Sequence, residues 1–192
     1  MPRIIAGSAK GRRLSVPGSA RPTTDQVREA AFAVIAGWAG RAGDASRALD
    51  GLSFLDLCAG SGAVALEAAS RGARPVWAVE SDRRAAAVIG RNVAATGLPV
   101  DVIVRTAEAF AARPVHAPFD VVWADPPYDV PDEAIDAILA ALAASGALAP
   151  ECMLVVERDK RSRVPTWPDG TEALAARVYG DTALHFATRG AA

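Results

Sequence analysis

Asp125, Pro126, Pro127 and Tyr128 follow directly on the apolar run Val121 to Ala124 and bring together one acid, two rigid positions and one aromatic face. The prolines lack N–H groups and hold their predecessors extended, so neither a strand nor a helix continues through them. Such a segment can fix two acceptors in space, the Asp125 carboxylate and the Pro126 carbonyl. An exocyclic amine on a nucleobase is a poor nucleophile because its lone pair is delocalised into the ring. If each acceptor takes one of its hydrogens, the nitrogen can pyramidalise and turn its lone pair toward a methyl sulfonium. Tyr128 offers a face on which the base can stack, worth roughly 1–3 kcal/mol per base. Positive charge moves onto the amine during transfer, so fixed acceptors stabilise the transition state more than the ground state. Taken alone, the same four residues also read as a rigid turn with a capping aspartate.

A second cluster lies in "LDLCAGSGAVALEAA", where a strand, the loop Ala59-Gly60-Ser61-Gly62 and a helix follow in immediate succession. Backbone can approach a ligand closely at such a loop, and the helix N-terminus offers free N–H groups. The spacing of Gly60, Gly62 and Ala65 also satisfies a relaxed dinucleotide fingerprint, so the loop alone leaves its ligand open. Glu80 closes the next strand, and a carboxylate there suits two ribose hydroxyls. Asp56 lies inside the first strand, where an unpaired charge is costly. An anion in that position repels a pyrophosphate and welcomes a cation, which favours S-adenosylmethionine over NAD or ATP.

These residues need a scaffold that brings strand ends together. Strands are expected at Ser53–Cys58, Val76–Val79, Val100–Val104, Val121–Ala124, Met153–Glu157, Ala176–Tyr179 and Leu184–Ala187. Helices are expected near Ala63–Ser70, Arg83–Thr96 and Pro131–Ala144. A further helix follows a cap at Thr23 or Thr24, with Val27, Ala30, Ala31, Val34 and Ile35 at helical spacing. The early strands are short, apolar and separated by helices, the pattern of a parallel sheet covered on both faces. The last two are separated only by "GDTA", which requires an antiparallel hairpin. The fold class is therefore α/β, a mostly parallel doubly wound, Rossmann-like sheet ending in an antiparallel hairpin. Residues 1–20 read as a basic N-terminal β-hairpin arm and residues 21–192 as the main domain, entered through a polar linker from about Gly40 to Gly51.

The chain has 192 residues, enough for one domain with a full core. Its 22% charged and 51% hydrophobic composition excludes intrinsic disorder. No apolar run suits a signal peptide or a membrane span, so a soluble cytoplasmic protein is expected. Cys58 and Cys152, in apolar stretches without partnered spacing, read as buried thiols, and no metal site is expected. Net charge is only −1. Through Ala30, however, Arg3, Lys10, Arg12, Arg13, Arg21 and Arg28 face only Asp25 and Glu29, so a basic arm joins a mildly acidic body.

With these pieces in order, the chain resembles the bacterial 16S ribosomal RNA guanine-N2 methyltransferases of the RsmD type over nearly its whole length. The matching segments are "RIIAGSAKGRRL", "RPTTDQVREAAF", "LDLCAGSGAVALEAASRGA", "VESDRRAAAVIGRNV", "DVVWADPPYD" and "RVYGDTALHF". The middle motifs are shared by many methyltransferases; the N-terminal pair and the closing one are more specific. The resemblance implies a class I fold, S-adenosylmethionine as donor, guanine N2 of small-subunit RNA as acceptor, and Asp125, Pro126, Pro127 and Tyr128 as the catalytic segment. It implies cofactor contacts from Asp56, Ala59, Gly60, Ser61, Gly62, Glu80, Ser81, Asp82, Ala107, Glu108 and Asp125. It places Arg3, Lys10, Arg12, Arg13, Thr23, Thr24 and Arg28 against RNA, where cations set affinity and orientation through phosphates. The partner implied is 16S rRNA within the small subunit or an assembly intermediate; the resemblance does not fix the oligomeric state, for which a monomer is the plainest expectation. Cys58 stands where the family usually has an aromatic residue, and Ala65 where it has glycine.

Two other functions share some of these features. A DNA adenine-N6 methyltransferase would use the same four residues on a flipped base, but nothing here resembles a target-recognition domain. A noncatalytic RNA-binding or ribosome-assembly module would have no use for an intact Asp125-to-Tyr128 segment. His116 reads as a surface residue, His185 as structural, Trp38, Trp77 and Trp123 as packing residues and Trp167 as a loop cover. The run Glu157 to Arg163 reads as a solvated loop.

Overall fold

The computed structural model describes residues 2–18, 23–115 and 117–190. His116 lies outside them. Helix α1 (Asp25–Trp38) begins where Thr24, in extended geometry, accepts the Val27 N–H at 3.3 Å. Its inward residues Val27, Arg28, Ala31, Phe32 and Ile35 recur at the spacing of one helical face. The order then runs β1 (Phe54–Leu57), α2 (Ala63–Ser70), β2 (Val76–Glu80), α3 (Arg83–Thr96), β3 (Asp101–Val104), α4 (Ala107–Ala111) and β4 (Phe119–Ala124). It closes with α5 (Asp132–Ala144), β5 (Leu148–Asp159), β6 (Thr171–Ala173), β7 (Arg177–Tyr179) and β8 (Thr182–Arg189).

The strands form one sheet in the order β3-β2-β1-β4-β5-β8-β6, with β7 also on β8. Neighbours from β3 through β5 are parallel, and β8 runs antiparallel to β5, β6 and β7. Strand order reverses between β1 and β4, which opens a crevice at their C-terminal ends. Alternate residues feed two cores. Phe54, Val121 and Trp123 join Phe32, Leu66 and Ile89 on one face; Leu55, Leu57 and Val122 join Phe110, Ile135 and Leu139 on the other. Period-two alternation within fully buried strands is what a sheet covered on both sides requires.

Several boundaries moved. The run Met153–Glu157 is the middle of a strand that extends from Leu148 to Asp159, because β8 pairs along it from Cys152 to Asp159. The link between the last two strands is two residues, Gly180 and Asp181, since Tyr179 already pairs with Thr182. The five-residue α4 and three-residue β6 carry too little periodicity to be read from the sequence. Glu157 and Arg158, expected in a solvated loop, are buried strand residues, 4% and 3% exposed, because that longer β5 carries them inward. Trp123 is fully buried beside Phe32, and His185 is 6% exposed in β8.

Helix α2 is buried on every side, which neither its sequence nor its eight-residue length explains. The cause is the N-terminal segment lying across it. Ile4, Ala9 and Leu14 enter the core there, and a single antiparallel bridge, Arg3 to Arg13, is all that the described residues show of the expected N-terminal β-hairpin. Glu67 of α2 accepts the Ile5 and Ala6 N–H groups at 2.7 and 3.0 Å, and the Ser70 carbonyl accepts the Ser8 N–H at 2.8 Å. Gly7 has φ +84°, and a Cβ there would fall 1.9 Å from the Ser70 carbonyl oxygen. Only glycine permits that approach.

Candidate functional site

A cleft of about 450 Å³ opens at the ends of β1, β2, β4 and β5, with Cys58, Glu80, Asp125 and Glu157 among its walls. A small recess of about 40 Å³ adjoins it, lined by Asp56, Ala59, Gly60 and Ser61. The chain turns sharply after β1: Cys58 takes φ +61°, the one left-handed non-glycine among the described residues, followed by Gly60 at +55° and Gly62 at +75°. The two glycines serve different ends. A Cβ on Gly60 would meet nothing within 4 Å, whereas on Gly62 it would sit 2.8 Å from Ile89 Cγ2. Gly60 therefore belongs to the cleft, and Gly62 lets the loop pack against α3.

Five acids converge on the cleft and its recess. Asp56 is 2% exposed and accepts the Ala65 N–H at 2.9 Å, near the start of α2. Burial, followed by the charges of Asp125 and Glu80, pushes its carboxyl well above the usual range, with the Ala65 bond opposing. Glu80 accepts the Gly60 N–H through Oε2 and the Asp82 N–H through Oε1, both at 2.8 Å, and so ties the two loops together. Asp82 caps α3 by accepting from Arg84 and Ala85. Asp125 and Glu157 share Thr23, whose Oγ1 lies 3.2 Å from Asp125 Oδ2 and 2.9 Å from Glu157 Oε2.

The Asp125-to-Tyr128 turn is held from behind. Arg158, 3% exposed, donates to the Pro127 carbonyl at 3.1 Å, the Val130 carbonyl at 2.7 Å and Asp132 at 3.1 Å. Among the described residues no group donates to the Pro126 carbonyl. Pro126 is buried, while Tyr128 is 43% exposed at the cleft mouth. Asp125, Pro126, Pro127 and Tyr128 all line the cleft.

Of the residues expected to touch a cofactor, Gly60, Glu80, Ser81, Asp82, Ala107 and Asp125 line the main cleft, and Asp56, Ala59 and Ser61 the recess. Glu108, exposed on α4, and Gly62, packed toward Ile89, lie outside both linings. Cys58, expected as a buried core thiol, is only half-buried because the left-handed turn aims it at the cleft. Burial and the surrounding carboxylates push its thiol up to about 12, so it is a neutral wall and no nucleophile. Cys152 is buried, as expected.

Among the expected RNA-facing residues, Arg3, Lys10, Arg12 and Arg13 are exposed. Arg28 is not available to a phosphate. Its guanidinium is fully buried and donates to the Thr23 and Arg3 carbonyls and to Asp25 at 2.9, 2.7 and 2.8 Å. It stitches the N-terminal segment to α1, because a helix residue one turn from an N-cap points back over that cap. Thr23 and Thr24 line the cleft. Glu157 and Arg158 went unread because a run of charged residues signals solvent unless the register of the strand beneath it is known.

The cleft suits S-adenosylmethionine by charge. Among the described residues its lining holds four acids, Glu80, Asp82, Asp125 and Glu157, and no lysine or arginine. A sulfonium and an ammonium complement that wall; a phosphate chain does not. Comparison with known proteins agrees with the geometry. The family model described as "Conserved hypothetical protein 95" matches residues 2–188. The chain belongs to that family. It is 33% identical over 192 residues to ribosomal RNA small subunit methyltransferase D of Escherichia coli K12, covering 97% of this chain and 89% of that protein. It overlays the solved yhhF protein of Escherichia coli with a TM-score of 0.84 at 31% identity, over 99% of this chain and 98% of that one. Magnesium protoporphyrin IX methyltransferase of Synechocystis, solved with S-adenosylmethionine bound, shares the fold at a TM-score of 0.61 and 14% identity, over 89% of this chain and 87% of that one. Family members therefore align with both the N-terminal segment and the sheet.

Proposed function

We propose that this protein methylates the exocyclic N2 amine of a guanine in small-subunit ribosomal RNA, using S-adenosylmethionine. The observation that carries the reading is the union of an acid-walled cleft with Asp125, Pro126 and the open Tyr128 ring in its lining.

S-Adenosylmethionine supplies, when bound, a methyl group on a sulfonium. Glu80 and the Gly60 backbone would hold its ribose, with Asp56 and Asp125 facing its positive end. Asp125 and the Pro126 carbonyl each accept one hydrogen of the amine and hold its nitrogen pyramidal. Tyr128 stacks on the base and sets its plane. Arg158 stiffens the turn so that neither acceptor has to reorganise as charge develops. The N-terminal segment, residues 1–20, is the RNA-facing element, with Arg3, Lys10, Arg12 and Arg13 spreading positive charge beside an acidic cleft. Phosphates are drawn to the rim and kept out of the pocket.

Incubation with labelled S-adenosylmethionine and 30S particles, naked 16S RNA or DNA, followed by digestion, tests the reading. N2-methylguanosine is the expected product. N6-methyladenine in DNA, or no label in any nucleic acid, refutes it.

A further inference from the structure

We propose that Glu157 is the proton partner of Asp125: through the Thr23 hydroxyl it holds the one proton the pair shares, so that Asp125 meets the amine as an ionised acceptor. This rests on the function proposed above and assigns that site a positioning residue, Glu157, with Thr23 as the bridge.

The geometry sets the requirement. Thr23 Oγ1 lies within hydrogen-bond distance of carboxylate oxygens on both sides, 3.2 Å from Asp125 and 2.9 Å from Glu157. A hydroxyl carries one hydrogen. Were both acids ionised, one contact would set lone pair against lone pair where little water can intervene. One added proton turns both contacts into hydrogen bonds: the protonated acid donates to Thr23, and Thr23 donates to the remaining carboxylate.

Placement decides which acid holds the proton. Both line the cleft, where Glu157 is 4% exposed and Asp125 is more open. The charge is better accommodated on the acid that ligands and solvent can reach. Asp125 and, on β1, Asp56 disfavour ionisation of Glu157, Arg28 on α1 favours it, and β8 sets Leu184 opposite it in the sheet. Arg158 favours ionised Asp125. Burial, the largest influence on both, pushes both carboxyls well above the ordinary carboxylate range, so the pair keeps a proton near neutral pH.

The proton balance is then simple. Glu157 O–H donates to Thr23 Oγ1, Thr23 O–H donates to Asp125 Oδ2, and Asp125 Oδ1 is left to accept an amine hydrogen. The proton that the methylated nitrogen sheds passes to Asp125. The site then carries two protons and returns one to water as product leaves.

Three variants, Glu157→Gln, Glu157→Ala and Thr23→Val, test the assignment in steady-state methylation of 30S particles across pH, with nucleoside identification in the same samples. Wild-type kcat should rise as Asp125 ionises and fall again as Glu157 loses its proton. In E157Q the side-chain amide replaces the acid as donor to Thr23, so kcat stays about tenfold or more above that of E157A, and the high-pH fall disappears. T23V should lose about as much as E157A while its affinity for S-adenosylmethionine, measured by calorimetry, stays within about threefold of wild type. T23V carries the comparison should E157A not fold. Infrared difference spectra of the cofactor-free protein supply a second readout: E157Q should lose a protonated-carboxyl band present in wild type near neutral pH. The inference is overturned if E157Q is as slow as E157A, if E157Q keeps the high-pH fall, or if that band survives the substitution. If wild type yields no N2-methylguanosine, the proposed function has failed instead.

Discussion

Glu67 and Arg71 on α2 and the carboxyls of the cleft are all charges withdrawn from water, and their surroundings treat them in opposite ways. Glu67 is fully buried, yet its oxygens accept from Ile5, Ala6 and Arg71, at 2.7, 3.0 and 2.7 Å. Arg71 in turn lies 4.8 Å over the Phe32 ring. At the cleft, by contrast, Asp56 has one backbone donor, and Asp125 and Glu157 divide a single hydroxyl. A buried charge whose bonds are complete locks structure in place; one left short keeps capacity for a ligand or a proton. The N-terminal segment is thus bolted down by charges that cannot be spared, while the cleft is lined by charges waiting for partners.

The contrast can be broken most severely at the cleft. Asp125→Ala should reduce turnover by on the order of 10³-fold in the methylation assay, because an acceptor and its charge both vanish. Its melting temperature should hold or rise, since a carboxyl disfavoured by burial has been removed. If melting falls sharply with activity, Asp125 belongs with the structural charges and the division fails.

Glu67→Ala should do the reverse. It strands buried Arg71 and two backbone N–H groups, a loss of about 3–5 kcal/mol in denaturant unfolding. Whatever protein remains folded should still bind S-adenosylmethionine, because the cleft lies on other residues.

The paired glycines sharpen the contrast further. Gly62→Ala combines a left-handed backbone with a 2.8 Å approach to Ile89 and should cost about 2–4 kcal/mol. Gly60→Ala, with open space around it, should cost only about 1–2 kcal/mol and weaken cofactor affinity instead. Equal losses of stability would contradict the separate roles.

A last effect is pH-dependent. Burial raises Glu157 from its ordinary 4.5 to about 8, so the folded state keeps a proton that the unfolded chain has lost. Stability from this group is therefore greatest at low pH and declines as pH rises between those values, by up to about 1.4 kcal/mol per unit. Glu157→Gln should flatten that decline in melting curves taken from about pH 5 to about pH 8. An unchanged slope would mean that Glu157 does not hold the proton.

Much of the scaffold could be read directly. Short apolar strands such as Phe54–Leu57 and Phe119–Ala124 show themselves by composition, and the helix after Thr24 by its cap and spacing. Glu80 and Asp125 stand out because they end apolar strands in order after the glycine loop, although each alone has an ordinary structural explanation. Arg28 and Glu157 were misjudged for the opposite reason. A cation in a basic stretch and an acid in a charged run each look solvated until the covering element is known.

The sequence by itself determined most of the sheet, the order of its motifs and the rigidity of the Asp125-to-Tyr128 turn, because propensity, periodicity and proline geometry act over a few residues. Only the tertiary structure decided which charges are spent and which are free. It laid the N-terminal segment over α2, sank Arg28 between two loops, and brought Thr23 between Asp125 and Glu157. Burial and hydrogen-bond satisfaction depend on atoms about a hundred residues apart in the chain, and no local pattern carries that distance.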